Sequence, residues 1–375
     1  MKVLHVTLSL RPGGRREAIL SLARGLAALG VDSHLCCIEE MGTDRQITGL
    51  AGSICLERKG LLDHVAMRRL RTYCREHGID LLHSHDAASQ FICTLAMPFF
   101  GPPLLMSFHR SLDFESARVR DRIRNALAGL RTRAIVTASQ ARQRHYQKRN
   151  LVADDKVVCI PLGIDTRRFA PNAEQRARHR SALGVTASGR LIGVAGHFGR
   201  EKGVDIAIEV FQRMLRKHPH LDAHMVILGR GDASRTQFIH DCIDPALSPQ
   251  IHLAGFQRHP EHWYAACDLF LHAARREAFG LVLVEAMGCG LPVLAAAAGG
   301  MLDIVTDGTT GRLVAPGDID AMAEALAEML LDEPALAAMS LAARQRVQGE
   351  YTEALTARRF HALYQRVTGD QNPSD

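Results

Sequence analysis

Aromatic side chains are scarce in this 375-residue sequence, in which Phe, Trp and Tyr together make up 5%. Single-stranded nucleic acids usually bind on aromatic stacking platforms, so the scarcity argues against that class of ligand. Long apolar runs are also missing, because no stretch reaches the roughly 18 residues that a membrane-spanning helix needs. The whole sequence is 47% apolar and 23% charged, which is typical of a globular protein, and its length suggests two domains.

Common metal and cofactor motifs are absent as well. The nine cysteines form no CxxC pair, the nineteen histidines show no HExxH arrangement, and no GxGxxG run follows a predicted strand. We therefore expect reduced, buried thiols, as in a cytoplasmic protein, and neither a metal nor a dinucleotide cofactor. The formal charge of +6 suits a phosphate-bearing ligand or an anionic membrane surface and does not by itself indicate nucleic acid.

The first half of the chain predicts an α/β domain. A buried strand at Lys2–Leu10, the pair Gly13-Gly14, an amphipathic helix at Glu17–Leu29 and a second strand at Val31–Ile38 form a βαβ unit. Further strands are predicted at 79–86 and 104–108. The carboxyl ends of parallel strands face the ligand crevice, where we expect polar side chains to gather. Those predicted at this edge are His83, His85, Asp86 and His109.

A second set of strand–helix units follows the polar stretch 166–189, which we interpret as the boundary between domains. Its first unit has a strand at 191–195, a Gly-rich turn and a helix at Val204–Lys217. The turn carries Arg200 and Lys202. A cation beside the free amides of a helix start is a favourable arrangement for a diphosphate.

Glu277–Leu294 is the most informative stretch, because Glu277 and Glu285 enclose seven residues that are all apolar or glycine. We predict a helix at 279–289 and a buried strand at 293–298. Amides near Gly280 and Leu281 would bind a phosphate, with the two carboxylates accepting hydrogen bonds from sugar hydroxyls. The alternative is a buried structural unit in which Glu277 complements the helix dipole and Glu285 pairs with an arginine.

A basic helix is predicted at 116–133 and leaves two interpretations open. It is either a solvated face or a surface that docks on anionic lipid or on a phosphorylated acceptor. Docking would place the cytoplasmic protein on the inner face of the membrane. The arginines considered for this contact are Arg118, Arg120, Arg122 and Arg124.

These motifs, in this order, resemble those of the GT-B glycosyltransferases of family 4, the retaining enzymes that use nucleotide sugars. The resemblance covers nearly the whole chain and includes the complete E-x7-E pattern. The matching residues are Gly13-Gly14, Asp80–His85 (D-x-V-H-x-H), His109, Pro161–Asp165 (P-N-G-V-D), Glu201–Asp205 (E-K-G-x-D), Glu277, Glu285 and Gly299-Gly300.

The resemblance implies a fold and a domain division. It implies α/β architecture of GT-B type, with two doubly wound, Rossmann-like domains and a cleft between them. Residues 1–165 would bind the acceptor and residues 166–350 the nucleotide sugar. Residues 351–375 would form a helix at 351–367 that packs back on the first domain, followed by a disordered tail.

The resemblance also implies roles for single residues. Glu277 would contact hydroxyls of the donor sugar, Glu285 the ribose, and Lys202 the diphosphate together with the amides at Gly280 and Leu281. His109 would lie beside the reacting sugar, as a catalytic residue with Glu277. Gly14 would approach the donor phosphate, and Gly13 and His85 would face the acceptor. One departure is that His197 occupies a position where the family has arginine, and Arg200 would supply that charge.

The implied reaction is metal-independent transfer of a sugar from a nucleotide-diphosphate sugar to a hydroxyl of a glycan or glycolipid acceptor, with retention. Acceptors of cell-envelope polysaccharide or lipopolysaccharide type belong to this class. The alternatives are a nucleotide-sugar epimerase or hydrolase and a non-catalytic nucleotide-sugar binding module. A two-domain dinucleotide enzyme is disfavoured by the missing GxGxxG run.

Overall fold

The computed structural model describes residues 1–11, 13–41, 49–60, 63–97, 101–108, 131–149 and 153–369. The chain divides into two compact units. The first consists of Met1–Gly163 with Glu353–Asp375, and the second of Ile164–Thr352. The C-terminal segment thus belongs with the N-terminal one.

The first unit is built on a parallel sheet with the strand order β3-β2-β1-β4-β5-β6-β7. Its strands are β1 (Lys2–Ser9), β2 (Asp32–Glu40), β3 (Gly52–Cys55), β4 (Leu81–Ser84), β5 (Leu104–Phe108), β6 (Thr132–Thr137) and β7 (Val157–Cys159). The order reverses between β1 and β4, as in doubly wound sheets. The register places His5 of β1 opposite His83 of β4.

Helices lie between several of these parallel strands. In the part of the chain that the structure describes before residue 164, the helices are α1 (Gly14–Ala27), α2 (His64–His77), α3 (Ala87–Ala96) and α4 (Gln140–Arg149). Asp63 caps α2 by accepting hydrogen bonds from two first-turn amides, and Gly78 ends this helix in the left-handed conformation. Asp86 caps α3 through a capping box with Ser89.

The second unit has its own parallel sheet, with the order β10-β9-β8-β11-β12-β13. Its strands are β8 (Arg190–Ala195), β9 (Ala223–Leu228), β10 (Ile251–Gly255), β11 (Leu269–His272), β12 (Val293–Ala296) and β13 (Gly311–Val314). The order again reverses beside the first strand, because β8 lies between β9 and β11.

The helices continue in chain order through the second unit and return to the first. They are α5 (Ala173–Ala182), α6 (Val204–Lys217), α7 (Ala233–Asp241), α8 (Pro260–Ala266), α9 (Leu281–Gly288), α10 (Met301–Ile304), α11 (Ile319–Leu331), α12 (Glu333–Glu350) and α13 (Glu353–Thr368). Short 3-10 helices lie at Asp154–Lys156, Arg200–Lys202 and Pro245–Gln250. In the first unit, α13 packs against α1, where a Cβ on Gly25 would lie 2.7 Å from the Cβ of Ala357.

The core of the first unit lies on both faces of its sheet. One cluster joins β1 and β2 to α2 and α3, and includes Leu4, Leu70 and Ile92. A second, larger than the remaining clusters of this unit, joins β1, β4 and β6 to α1 and α13, and includes Leu26 and Tyr364. The nine cysteines are all free thiols, as predicted, and six of them are buried.

Several predicted elements differ from the observed ones. The polar stretch 166–189, interpreted as a boundary, contains α5, whose amides are capped by Asn172. The strand predicted at 79–86 is shorter, because Asp86 turns away to begin α3. The helix predicted from residue 279 begins at Leu281, since Gly280 takes a positive φ of 105° that no helix continues through. By contrast, α6 and β5 have the predicted bounds.

Candidate functional site

Two loops that are distant in sequence meet at the carboxyl edge of the second sheet. The lysine turn, Gly196–Gly203, follows β8, and the acidic loop, Ala273–Gly280, follows β11. Because β8 and β11 are neighbouring parallel strands, both loops leave the sheet at the same edge. The topology therefore joins the two motifs that the sequence singled out separately.

A buried ion pair links the two loops. The Nζ atom of Lys202 lies 2.8 Å from Oε2 of Glu277, whose side chain is 9% exposed against 26% for the lysine. Nε2 of the buried His272, at the end of β11, lies 3.3 Å from the same carboxylate oxygen. The other oxygen accepts a hydrogen bond from the amide of Ala278 at 3.1 Å. The carboxylate is thus held on both oxygens.

These partners keep Glu277 ionised. Burial by itself raises the pKa of a carboxyl group, but the hydrogen bond with His272 and the charge of Lys202 outweigh it and lower the pKa of Glu277 to about 2. Near neutral pH the site therefore presents a carboxylate that accepts hydrogen bonds, next to an ammonium group that reaches solvent.

A second ion pair fixes the acidic loop against α6. Arg275 donates to both carboxylate oxygens of Asp205 at 2.8 and 2.7 Å and also to the carbonyl oxygen of Arg200 at 2.9 Å. The amide of Arg276 donates to the carbonyl oxygen of Glu201 at 3.3 Å. Partial burial opposes ionisation of Asp205, yet Arg275 holds the pKa of that carboxyl below its ordinary value.

Glycines allow the main chains to approach this closely. A Cβ on Gly203, whose φ is 62°, would lie 2.0 Å from the carbonyl oxygen of Ala273. A Cβ on Gly299, with φ of 56°, would lie 2.1 Å from the carbonyl oxygen of Glu277. Side chains at these two positions would collide with backbone atoms, so the site requires glycine there.

Helix α9 begins directly after the acidic loop. Gly280 is its N-cap and no side chain of the described residues caps it, so the first-turn amides beginning at Leu281 are not occupied by a cap. Free amides at a helix start favour an anion. Gly280 and Leu281 thus lie at the anion-binding end of α9, and Gly280 follows Glu277 by three residues.

Glu285, one turn into α9, is half-buried and lies 3.3 Å from the hydroxyl of Tyr264, which donates to its Oε2. The tyrosine is buried against Phe270 in an edge-to-face contact. Burial, and then the negative charge of Glu285, raise the pKa of Tyr264 well above its ordinary value, so it remains a donor.

His197 and Arg200 occupy the exposed part of the lysine turn. The backbone of the turn is held against the segment that follows β9, because the amide of Phe198 donates to the carbonyl oxygen of Arg230 at 3.0 Å. His197 lies close enough to Asp232 for its charge to help lower the pKa of that carboxyl, after the hydrogen bonds from Arg235 and Ser234. Both side chains of the turn are therefore accessible to a ligand.

In the first unit, Gly13 is the exposed N-cap of α1, with a φ of 148°, and Gly14 is the first residue of this helix. Asp86, the N-cap of α3, connects this helix to the end of β1 and to α1. It accepts a hydrogen bond from the amide of Leu8 at 2.8 Å and pairs with Arg15 at 3.4 Å.

His85 is a buried member of a histidine cluster. Its Nε2 lies 3.0 Å from Nδ1 of His5, and the ligand atoms of His5, His83 and His85 lie within 4.8 Å of one another. His83 is bonded on both nitrogens, to Tyr364 and Ser107, each at 2.7 Å. Burial, aided by His34, lowers the pKa of His5 to about 3. His85 and His83 therefore belong to the core beneath the sheet edge.

Comparison with known proteins identifies the family. The models of "Glycosyltransferase Family 4" and "Glycosyl transferases group 1" match residues 12–168 and 175–346. A D-inositol 3-phosphate glycosyltransferase of Kineococcus radiotolerans is 30% identical over 352 residues, which span 86% of this chain and 78% of the relative. The chain belongs to family 4 of the GT-B glycosyltransferases.

Other relatives of this glycosyltransferase agree. The lipopolysaccharide core mannosyltransferase LpsB of Rhizobium meliloti is 31% identical over 209 residues, which cover 54% of this chain and 59% of LpsB. HepE of Anabaena, solved with UDP, superposes with a TM-score of 0.87 at 20% identity, over 98% of this chain and 100% of HepE. WaaG, a lipopolysaccharide glycosyltransferase, superposes with a TM-score of 0.76 at 20% identity, over 98% of this chain and 100% of WaaG. The predicted family and fold class are both confirmed.

Some predicted residues lie outside the part of the glycosyltransferase that the structure describes. These are His109 and the four arginines of the basic helix, Arg118, Arg120, Arg122 and Arg124. Among the helices that are described, none combines the length and the apolar character needed to cross a bilayer.

No role was predicted for four residues that build the site, although one of them, Asp205, ends the matching run Glu201–Asp205. His272, Asp205, Arg275 and Tyr264 hold the two loops and the two acids in place. His272 had a usable signal, because it ends a buried strand of the second sheet, and polar residues were expected at the corresponding strand ends of the first sheet. The pairing of Asp205 with Arg275 and the contact of Tyr264 with Glu285 join segments distant in the chain, which sequence spacing does not reveal.

Proposed function

We propose that this glycosyltransferase breaks the sugar–phosphate bond of a nucleotide-diphosphate sugar at the edge formed by the lysine turn and the acidic loop. The observation that carries the proposal is the pair of Lys202 and Glu277, which are joined at 2.8 Å and braced by His272. The pair supplies a cation for the leaving group and, hydrogen-bonded to that cation, an ionised carboxylate that can accept hydrogen bonds from hydroxyls of the donor sugar.

The leaving diphosphate gains negative charge as the bond breaks. Lys202 and the free amides at the start of α9 would stabilise that charge, with Arg200 contributing from the exposed part of the turn. Lys202 is partly exposed while Glu277 is buried. The ammonium group could therefore donate to a phosphate oxygen while it stays paired with the carboxylate, without a large rearrangement. With these donors in place, we propose that transfer needs no metal.

The two acids would bind different parts of the donor. Glu277, ionised because its pKa is about 2, would accept hydrogen bonds from hydroxyls of the sugar. Glu285, oriented by Tyr264, would accept from the ribose hydroxyls. The two positions suit these two roles, because Glu277 lies before the start of α9 and Glu285 lies on its second turn, so that the carboxylates are on either side of the helix start.

The stereochemical outcome we propose is retention. In this route the bond to the diphosphate breaks first, and the acceptor hydroxyl attacks the cationic sugar from the same face. Its proton passes to an oxygen of the departing phosphate, so atoms and charges balance without a protein nucleophile. Lys202 would keep that phosphate in place while the bond forms. His109 remains a prediction for the residue nearest the reacting sugar.

For the acceptor we propose a hydroxyl of a glycan or glycolipid of the cell envelope. The relatives support this class, because LpsB and WaaG are named for lipopolysaccharide synthesis. Gly13 and Gly14, exposed at the start of α1, would let the acceptor approach the main chain. A lipid-linked acceptor would also bring the enzyme to the cytoplasmic membrane surface.

The test begins with a panel of nucleotide sugars in a thermal-shift assay, followed by donor turnover with and without envelope glycans. Glu277→Ala and Lys202→Ala should each abolish transfer while the unfolding midpoint shows a folded protein. Lys217 and Glu324 form a matched but exposed ion pair on α6 and α11, so alanine at either position should leave turnover unchanged. Full activity in both site variants would overturn the assignment.

Other outcomes of the panel distinguish other functions. Acceptor-independent consumption of the donor would indicate a hydrolase, and interconversion of the sugar an epimerase. Stabilisation by donors without any turnover would indicate a binding module. Loss of turnover on chelation, restored by Mg²⁺, would overturn the metal-independent route. The anomeric configuration of the product, read by NMR, tests retention.

A further inference from the structure

Two cysteines lie next to each other on neighbouring strands of the first sheet. Cys37 of β2 is the register partner of Cys55, the last residue of the short edge strand β3. Directly paired residues of adjacent strands have their Cα atoms about 4.8 Å apart, since that is the spacing of the strands. A disulfide bond spans Cα separations of about 4.4 to 6.8 Å, so the register places the two residues within its reach.

The two thiols lie on the same face of the sheet. Cys37 packs with Ile19 of α1 in a small apolar cluster, and Cys55 packs against that same cluster. The residues that precede them, Cys36 and Ile54, belong instead to the cluster on the opposite face, with α2 and α3. This alternation is the one that a β-strand imposes, and it leaves the side chains of Cys37 and Cys55 side by side.

Hydrogen bonds hold the main chains of both cysteines. The amide of Leu56 donates to the carbonyl oxygen of Cys37 at 2.8 Å, and Arg69 donates to the carbonyl oxygen of Cys55 at 3.0 Å. The Cys55 thiol donates to the carbonyl oxygen of Glu39 at 3.6 Å, and a thiol is a weak donor. Turning Sγ of Cys55 toward Cys37 therefore gives up a weak hydrogen bond and leaves the main chain in place.

The two thiols differ in their access to solvent. Cys55 is partly exposed, whereas Cys37 is buried. Burial, and then the neighbouring Cys55, raise the pKa of Cys37 to about 12. The thiolate is the nucleophilic form of cysteine, and a soluble oxidant must also be able to reach it. Cys55 is therefore the thiol that reacts first, and Cys37 is a protonated thiol beside it.

We propose that Cys37 and Cys55 form a reversible disulfide when the protein is exposed to hydrogen peroxide. The Cys55 thiolate attacks a peroxide oxygen, so that the S–O bond forms and the O–O bond breaks. The departing hydroxide takes up the proton that Cys55 released and becomes water. The sulfur of Cys37 then attacks the sulfenic sulfur of Cys55, so that the S–S bond forms and the S–O bond breaks. The second hydroxide takes the thiol proton of Cys37, and two thiols have reduced one peroxide to two waters. The inference is independent of the donor chemistry.

The experiment treats the reduced full chain with hydrogen peroxide, blocks the remaining thiols with iodoacetamide and maps the digested protein by mass spectrometry. We expect a linked pair of peptides that contains Cys37 and Cys55, is two hydrogens lighter than the reduced pair and disappears after treatment with dithiothreitol. The oxidised protein should also have a Tm several degrees higher, because the bond restricts the unfolded chain.

Four variants assign the bond to its two sulfurs. C55S changes a partly exposed position and should abolish the linked pair, while C37A should leave a sulfenic acid on Cys55 that dimedone traps. Two matched controls should keep the link. C36A changes the adjacent thiol on the opposite face, and C159S changes a partly exposed thiol at the end of β7, whose register partner is Thr137. The unfolding midpoint of each variant checks that it folds.

Three results would overturn the proposal. The first is a dimedone adduct on Cys55 of the unchanged protein without any linked pair, which would mean that Cys37 does not reach the oxidised sulfur. The second is a linked pair that persists in C37A, which would assign the bond to another cysteine. The third is linkage that forms only in urea, which would mean that the native sheet holds the two thiols apart.

Discussion

Glu277→Gln provides the sharpest test of the electrostatics of the site. Glutamine has nearly the same shape as glutamate and still accepts a hydrogen bond from Lys202, but it carries no charge to interact with that lysine and with His272. The carboxylate is 9% exposed, so solvent screens these interactions little. The substitution therefore removes the charge interactions and keeps the packing.

The magnitude follows from the pKa of Glu277, which falls from an ordinary 4.5 to about 2 on folding. At roughly 1.4 kcal/mol per pKa unit, the ionised group contributes about 3 kcal/mol to the free energy of unfolding at neutral pH. Because the folded-state pKa is depressed, this contribution is complete above pH 4.5 and is lost as the pH falls toward 2. Between pH 6 and pH 3 the loss amounts to about 2 kcal/mol.

The assay is urea unfolding of both proteins at a series of pH values, followed by the fluorescence of Trp263. This residue is the single tryptophan of the chain and lies on α8 of the second unit, the unit that holds the site. The difference in unfolding free energy between wild type and variant should shrink by about 2 kcal/mol between pH 6 and pH 3. A difference that stays constant, or grows in acid, would refute the assigned pKa and its cause.

Three further predictions concern the groups around the ion pair. Arg275→Met removes the bidentate bond that fixes the acidic loop and should raise the KM for the donor. Because solvent reaches the ion pair and screens it, stability should fall by only on the order of 1 kcal/mol. An unchanged KM would contradict the anchoring role. Tyr264→Phe removes the donor to Glu285 and should cost about 1 kcal/mol in urea unfolding, with a several-fold higher donor KM; a change in kcat alone would argue against a ribose contact. Gly203→Ala places a Cβ on backbone atoms and should lower stability by about 2 kcal/mol or more, whereas Gly184→Ala, also at positive φ but in open space, should cost less; equal falls in Tm would contradict the steric argument.

Much of the fold could be predicted from hydrophobic periodicity. The bounds of α6 and β5 were predicted correctly, because an amphipathic run and a short buried run are properties of neighbouring residues. Polar helices were harder, and α5 was missed because its side chains are mostly exposed and leave no clear apolar stripe. Helix α3 was missed because Asp86 was interpreted as the end of a strand, although it caps the following helix.

The two-part α/β architecture, the family and the pair of acids on either side of the start of α9 could all be predicted before the fold was known. Each of these depends on local pattern or on motif order, which one-dimensional spacing preserves. The contact of Lys202 with Glu277 across 75 residues of chain, and its support by His272 and Arg275, became visible only in the folded protein. The reason is the strand order, because placing β8 next to β11 brings their carboxyl-end loops together, and spacing along the chain does not specify which strands become neighbours.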